Sequence, residues 1–319
     1  MRRKRGWRKV GREFRYLIGA IGFRAIVRAT RIVPMGLSRL LFVKLLSPLA
    51  WPFAGKYRRK MLDNLDLSYG DDLTPQQKER IAKRVLKNMF QGFLETIYST
   101  CSLPRIMSKL RWEGEEHLRE AMREGKGIIA VSAHLGNFTL IGGVMRRRGY
   151  PCWVIIKDPK HPRMAQVFER FRRIQGTRSI PADPPMRCQR EIMRTLRRGE
   201  IVLFVSDENQ KKGGILIDFM GRRMAMPPGP AFYHLRTGAP ILPVFLLREG
   251  EDGLRLLIEP PLQVPLQGDK DKDLYTITRE VTRKIESFIR RYPDQWHWVS
   301  KRRIRTRTRR PSFEESLQR

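Results

Sequence analysis

Gly127-Ile128-Ile129-Ala130-Val131-Ser132-Ala133-His134-Leu135-Gly136-Asn137-Phe138-Thr139-Leu140 is the stretch on which the reading of this chain turns. Its first seven residues form a short, uninterrupted apolar run bounded by glycine, the pattern of a strand buried on both faces. A histidine stands just past the strand and just before an expected helix. In open α/β sheets ligands collect outside the carboxyl ends of strands, where the following helix directs free N–H groups outward. His134 is therefore placed where a side chain meets substrate, and imidazole is the group whose ordinary pKa permits proton removal near neutrality. Gly136 is expected to let a substrate approach the backbone closely.

Short apolar runs alternate with helical segments beyond this point, which predicts an α/β core. Further strands are expected over 152–157, 201–206, 240–247 and 254–259. Helices are expected over 163–175, 187–198, 228–236 and 274–290. Pro228 opens one helix and Gly238 follows its end, the usual asymmetry. Upstream, Thr74-Pro75-Gln76-Gln77 has the form of a capping box, and Ile81, Val85, Met89, Phe93 and Ile97 give the following long helix an apolar stripe. No internal repeat is visible.

The 319 residues, 41% apolar and 30% charged, suffice for a substantial core without metals or disulfides. The outlying quantity is charge: 65 Lys plus Arg against 32 Asp plus Glu gives a formal +33, which calls for a polyanionic partner. Cys101, Cys152 and Cys188 are odd in number and widely spaced, so neither a disulfide framework nor a metal site is expected, and a reducing, cytoplasm-facing location fits. The basic stretch from Arg2 to Arg15 resembles the start of a signal peptide, but no single short apolar run with a small-residue cleavage site follows it. From Tyr16 to Gly55 the chain is apolar yet interrupted by Arg24, Arg28, Arg31, Arg39 and Lys44, so no uncharged stretch reaches the roughly 18–20 residues of a spanning helix. Leu17, Ile18, Ile21, Ile26, Val27 and Ile32 with interleaved arginine suggest helices lying in a headgroup region, the alternative being a basic-surfaced helix pair packed on the core. The run from Lys301 to Arg310 cannot bury itself and is expected to be a disordered tail. The expected organisation is a membrane-associating segment over 1–60, a catalytic domain over 61–300 and a basic tail over 301–319.

His134-Leu135-Gly136-Asn137-Phe138 resembles the His-x-x-x-x-acid motif of glycerolipid acyltransferases in the form found in bacterial lipid A late acyltransferases. Three more stretches resemble that family in the expected order. They are Asn64-Leu65, then Asp218-Phe219-Met220-Gly221-Arg222 through Pro228-Gly229-Pro230 to Arg236-Thr237-Gly238-Ala239-Pro240, and finally Tyr292-Pro293-Asp294-Gln295-Trp296-His297-Trp298. The resemblance covers residues from about 60 to 300. It implies a mixed sheet flanked by helices and direct transfer of an acyl group from a thioester to a lipid hydroxyl, with His134 as general base and polarised donors on the oxyanion. It also implies no cofactor besides the acyl thioester, with acyl carrier protein preferred over coenzyme A, and a place at the cytoplasmic face of the bacterial inner membrane. No G-x-S-x-G elbow and no recognisable cysteine nucleophile competes with this reading.

One departure stands out. The family's carboxylate five residues after the histidine is Thr139 here. Three alternatives follow: Asp207 or Glu208, at the end of the 201–206 strand, orients the imidazole; Thr139 serves in its place; or catalysis is lost and a lipid-binding protein remains. Gly136, Asn137 and Gly229 are candidate substrate contacts. Arg222 and Arg223 are candidates to hold an acceptor phosphate or the donor's phosphopantetheine, or else form a solvated basic turn. Trp296 and Trp298 are read as packing residues, as is Ser132, and His297 as structural, while His117, His161 and His234 carry no motif. Expected partners are anionic membrane lipid, acidic acyl carrier protein and the lipid acceptor. A pI near 11.1 also admits a nucleic-acid binder, against which stand the absence of any nucleic-acid-binding motif and the apolar residues interleaved among the N-terminal arginines.

Overall fold

The computed structural model describes residues 19, 21–159, 161–210 and 212–299. The basic stretch Arg2–Arg15, Leu17, Ile18 and the run Lys301–Arg310 lie outside them. At the centre is a seven-stranded sheet in the order β1-β9-β8-β2-β5-β3-β4. Its members are β1 (Leu110–Glu113), β2 (Ile128–Ser132), β3 (Cys152–Ile156), β4 (Arg178–Pro181), β5 (Ile201–Val205), β8 (Ile241–Glu249) and β9 (Gly253–Ile258). Pairing is parallel throughout except between β8 and β9. A separate hairpin joins β6 (Ile215–Phe219) to β7 (Arg222–Met226).

The α/β class follows from the apolar runs, because strands covered on both faces need no alternation. β2 is buried at every position. Ile129 and Val131 face one apolar core, while Ile128 and Ala130 face the other. The first core is covered by α9 (Pro185–Arg197), α10 (Gly229–Thr237) and α11 (Lys270–Arg291), and the second by α6 (Glu115–Arg123) and α7 (Ile141–Arg147). The sequence reading finds the central strands and the long helices but passes over β1, β4, α6 and α7, which are too short to show a period.

Helix α5 (Pro75–Met107) carries the expected capping box at Thr74 and Gln77, and it breaks at Ser102, two residues before Pro104. Proline there removes a helical donor and crowds the preceding turn. The apolar stripe of α5 is buried at Val85 and Ile97, but Phe93 is 52% exposed. At that turn Leu94 and Ile97 carry the covered face instead.

Before α5 come α1 (21–29), α2 (Met35–Arg39), a π-helical turn (Leu40–Leu46), α3 (Ser47–Phe53) and α4 (Gly55–Tyr69). Trp51, Met61 and Leu65 enter the first core, and α4 is continuous across residue 60. Leu37, Leu41, Phe42, Leu45, Leu49 and Phe53 remain exposed. Among the described residues no single helix is long and apolar enough to cross a membrane; one pair, Met35–Phe53 with Gly55–Asp72, passes by length and composition but is bent by 86°. Arg39 and Lys44, two of the charges that interrupt the apolar stretch, meet Glu251, and Arg39 also meets Asp252.

Candidate active site

His134 sits two residues beyond the end of β2, and Asp207 two residues beyond the end of β5, the strand alongside it. Neighbouring parallel strands deliver their ends to the same edge, so residues 73 apart in sequence meet there. His134 Nδ1 lies 2.7 Å from Asp207 Oδ1, and the backbone N–H of His134 donates to Asp207 Oδ2 at 3.1 Å. Trp296 Nε1 donates to the same Oδ2 at 2.7 Å. The Asp207 side chain is fully buried and that of His134 is 23% exposed. A buried carboxylate without partners is costly, and two N–H groups donate to this one at Oδ2 while Oδ1 is left to the imidazole. An ionised Asp207 accepts from Nδ1–H, which assigns the ring proton to Nδ1 and leaves Nε2 as the basic nitrogen of a side chain that is partly exposed.

The C-terminal segment forms a strap across the histidine loop. Gly136 N–H donates to Gln295 O at 3.0 Å and His297 N–H to His134 O at 3.2 Å, while Gln295 exchanges hydrogen bonds with the Arg248 backbone. Phe138 meets the His134 ring edge-on with centroids 4.6 Å apart, and the His297 ring lies 6.4 Å away, nearly parallel. Asn64 donates to the Trp298 carbonyl, and Asn88 donates to Asp294 O at 2.8 Å. Trp296 and Trp298 are fully buried packing residues, as expected, but Trp296 also holds the carboxylate.

On the other side of the loop lies a second buried cluster. Glu95 of α5 pairs with Arg248 of β8 at 2.6 Å, both side chains being 5% exposed. Asn137 Nδ2 donates to Glu95 Oε2 at 2.8 Å, and Thr139 Oγ1 donates to Asn137 Oδ1 at 2.7 Å. Thr139 also meets Thr96 Oγ1 at 2.8 Å.

A family model described as bacterial lipid A biosynthesis acyltransferase matches residues 9–305. The chain belongs to that family. Its relatives include a phosphatidylinositol mannoside acyltransferase of Mycolicibacterium smegmatis, 25% identical over 58% of this chain and 59% of the relative. The lipid A biosynthesis palmitoleoyltransferase of Escherichia coli is 25% identical over 84% of each chain. The lipid A biosynthesis myristoyltransferase of the same organism is 22% identical over 78% of this chain and 77% of the relative. The chain thus spans about 59% of the length of the mannoside acyltransferase it matches.

Several candidate residues take other places than the sequence suggested. Of the two carboxylates after β5, Asp207 is the one that reaches His134. Thr139 bonds to Asn137 and Thr96, not to the imidazole. Asn137 is buried in the Glu95 cluster, so its side chain is committed to protein and not to substrate. Gly136 has φ +58°, and a Cβ there would stand 2.0 Å from Leu246 O. What its missing side chain admits is the β8 backbone, not substrate. Gly229 lies against the Phe204 ring, 3.3 Å from where its Cβ would be. Arg222 and Arg223 stand at the turn of the β6–β7 hairpin, with Arg223 3.7 Å from Asp218 across it. The sequence reading did not find Glu95 and Arg248. An acid and a base on separate elements show no spacing that links them, and only the folding of α5 beside β8 brings them together.

Proposed function

We propose that the protein transfers a fatty acyl chain from a thioester to a hydroxyl of a lipid A precursor or related glycolipid, with His134 as general base and Asp207 as its orienting carboxylate. The observation that carries the proposal is the His134 Nδ1–Asp207 Oδ1 contact at 2.7 Å, in a member of this family, with the ring partly open to solvent. His134 Nε2 takes the proton of the acceptor hydroxyl as that oxygen attacks the thioester carbonyl. The tetrahedral intermediate then collapses, the C–S bond breaks, and the imidazolium returns its proton to the departing thiolate. Asp207 stabilises the imidazolium and keeps its own charge throughout. The missing carboxylate at Thr139 is thereby replaced from β5, which favours an active enzyme over a lipid-binding homologue.

The names of the relatives, a mannoside acyltransferase and lipid A acyltransferases, support a sugar-bearing lipid as acceptor. Acyl carrier protein as donor is supported by the +33 charge, since an acidic carrier would be steered to such a surface. We place that work at the cytoplasmic face of the inner membrane; the exposed Leu41, Phe42, Leu45, Leu49 and Phe53, close together in the chain, support a position at a membrane surface. The test is lipid mass spectrometry of cells with and without the gene, complemented by wild type, His134→Ala or Asp207→Asn. A glycolipid gaining one acyl chain only with wild type is expected; rescue by His134→Ala would remove the proposed base.

A further inference from the structure

A cleft of about 550 Å³ lies between α1 and α8 (Pro162–Ile174), apart from the His134 loop. Arg24, Arg28 and Arg31 line it from α1 and the turn that follows, and Arg170 and Arg173 line it from α8. Within the described residues, none of these five has an ion-pair contact with a carboxylate, and Glu169 is the one acidic residue on the cleft wall. Their neighbour Arg172, by contrast, is neutralised by Asp158 at 2.8 Å. Guanidinium groups left facing one another across a gap repel, and an anion placed between them relieves that repulsion while accepting paired N–H donors.

The floor of the cleft is apolar. Phe23 packs on Phe168 and Phe171 with ring centroids 5.6 and 5.2 Å apart, and Val27 and Val167 continue the surface. Ile21, Ile26 and Ile32 are exposed on the α1 side. A nucleic acid or an acidic protein would satisfy the arginines but leave this floor and these isoleucines in water. A single phosphate-bearing lipid satisfies both, and the volume is of the size that holds a headgroup and the first part of a chain.

We propose that this cleft is a binding site for one anionic phospholipid of the bilayer, with its phosphate among Arg24, Arg28, Arg170 and Arg173 and its chain along Phe23 and Val27. The site rests on the membrane-surface reading above, and it would set the height and tilt of the protein on the membrane through one defined lipid, independently of its diffuse positive charge.

The test uses the full chain and short-chain phosphatidic acid below its micelle concentration, followed by calorimetry. Two double variants of equal charge change are compared: Arg170→Gln with Arg173→Gln in the cleft, and Arg190→Gln with Arg194→Gln on α9. Saturable binding is expected, weakened about tenfold or more by the cleft pair and unchanged by the α9 pair. Glycerol 3-phosphate and inorganic phosphate are expected to bind far more weakly than the lipid. Equal weakening by both pairs, absence of saturation, or phosphate binding as tightly as the lipid would each overturn the site. So would competition by the short-chain lipid against the acceptor substrate, because the occupant would then be the acceptor. The isotherm needs neither bilayer nor turnover, so loss of acyl transfer with lipid binding intact counts against the enzyme reading and leaves the cleft standing.

Discussion

Replacing Asp207 by asparagine changes one oxygen to an NH2 group and keeps the shape, so it isolates what the carboxylate does. In the native site Oδ1 faces the His134 Nδ1–H, while Oδ2 accepts from His134 N–H and from Trp296 Nε1–H. The carboxamide has two orientations. With its oxygen toward Trp296 it keeps two acceptor bonds, and its NH2 then donates to Nδ1. With its oxygen toward the imidazole it keeps one, and the NH2 is pressed against two N–H donors. Each neutral hydrogen bond contributes about 1 kcal/mol, and each buried donor left unpaired costs about 1–3 kcal/mol, so the first orientation wins by at least about 2 kcal/mol. That orientation makes Nδ1 an acceptor and moves the ring proton to Nε2, where no base remains for the hydroxyl.

The tautomer switch removes the base, and the lost negative charge no longer stabilises the imidazolium. The corresponding change in serine proteases lowers turnover about 10⁴-fold, or about 5 kcal/mol of transition-state stabilisation, with the geometry kept. A loss of kcat of about 10³–10⁴-fold is expected here, with KM little changed and thermal unfolding within a few degrees of wild type. The assay is transfer of a labelled acyl chain from acyl carrier protein or coenzyme A to a glycolipid acceptor in mixed micelles, followed by chromatography. Activity within about threefold of wild type in a folded Asp207→Asn protein would show that tautomer control at Nδ1 is not what this carboxylate supplies.

Glu95→Leu leaves the Arg248 guanidinium buried and unpaired, and a loss of about 3–5 kcal/mol in denaturant-derived stability is expected. Gly136→Ala forces a Cβ into Leu246 O at a positive φ and should cost about 2–4 kcal/mol with a fall in transfer rate, both read on the purified variant. Thr139→Val gives up bonds to Asn137 and Thr96 worth about 0.5–1.5 kcal/mol each but none to the imidazole, so kcat/KM should stay within about tenfold of wild type. Burial pushes the Cys152 thiol from 9.0 up to about 12, and burial foremost raises the Tyr69, Tyr150 and Tyr233 phenols from 10.0 to about 12. These folded-state values lie above the unfolded ones, so their stabilisation is complete below about pH 9 and is lost as pH rises toward 12; a denaturation midpoint falling steadily over that window checks the sign. Mass spectrometry after brief alkylation should find Cys101 modified and Cys152 unmodified.

What was legible in the sequence was whatever leaves a local mark. β2, β3 and β5 could be read because a strand covered on both faces is a plain apolar run, and α5 because Thr74 and Gln77 announce its first turn. Asp207 was legible as one of two candidates, since a carboxylate at a strand end points to the same edge as His134 when the strands share a sheet. Choosing it over Glu208 required the β2–β5 register. Asn137 and Gly136 were misread for a common reason. In a loop beside a candidate catalytic histidine, a small residue and an amide look like a place for substrate, and nothing local says that β8 and α5 already occupy the space. Trp296 hid in the same way, because an indole in an aromatic motif reads as bulk until its N–H is seen to have an acceptor.

Two buried acids flank the six residues from His134 to Thr139, and they divide the work. Asp207 holds the imidazole from the β5 side, while Glu95, itself neutralised by Arg248, holds the loop from the α5 side through Asn137. The strap from Tyr292 to Trp298 locks both, since its Gln295 carbonyl takes the Gly136 N–H and its Trp296 indole serves Asp207. A histidine fixed from three directions is preorganised before substrate arrives, so little of the binding energy is needed to place it. The same rigidity means that the loop has no free polar side chain with which to choose among acceptors, Asn137 being already committed. Under the proposed function, selection of the lipid falls to the surfaces that bring it to the imidazole, and among the described residues the helices before residue 55 hold Leu41, Phe42, Leu45, Leu49 and Phe53 exposed for that purpose.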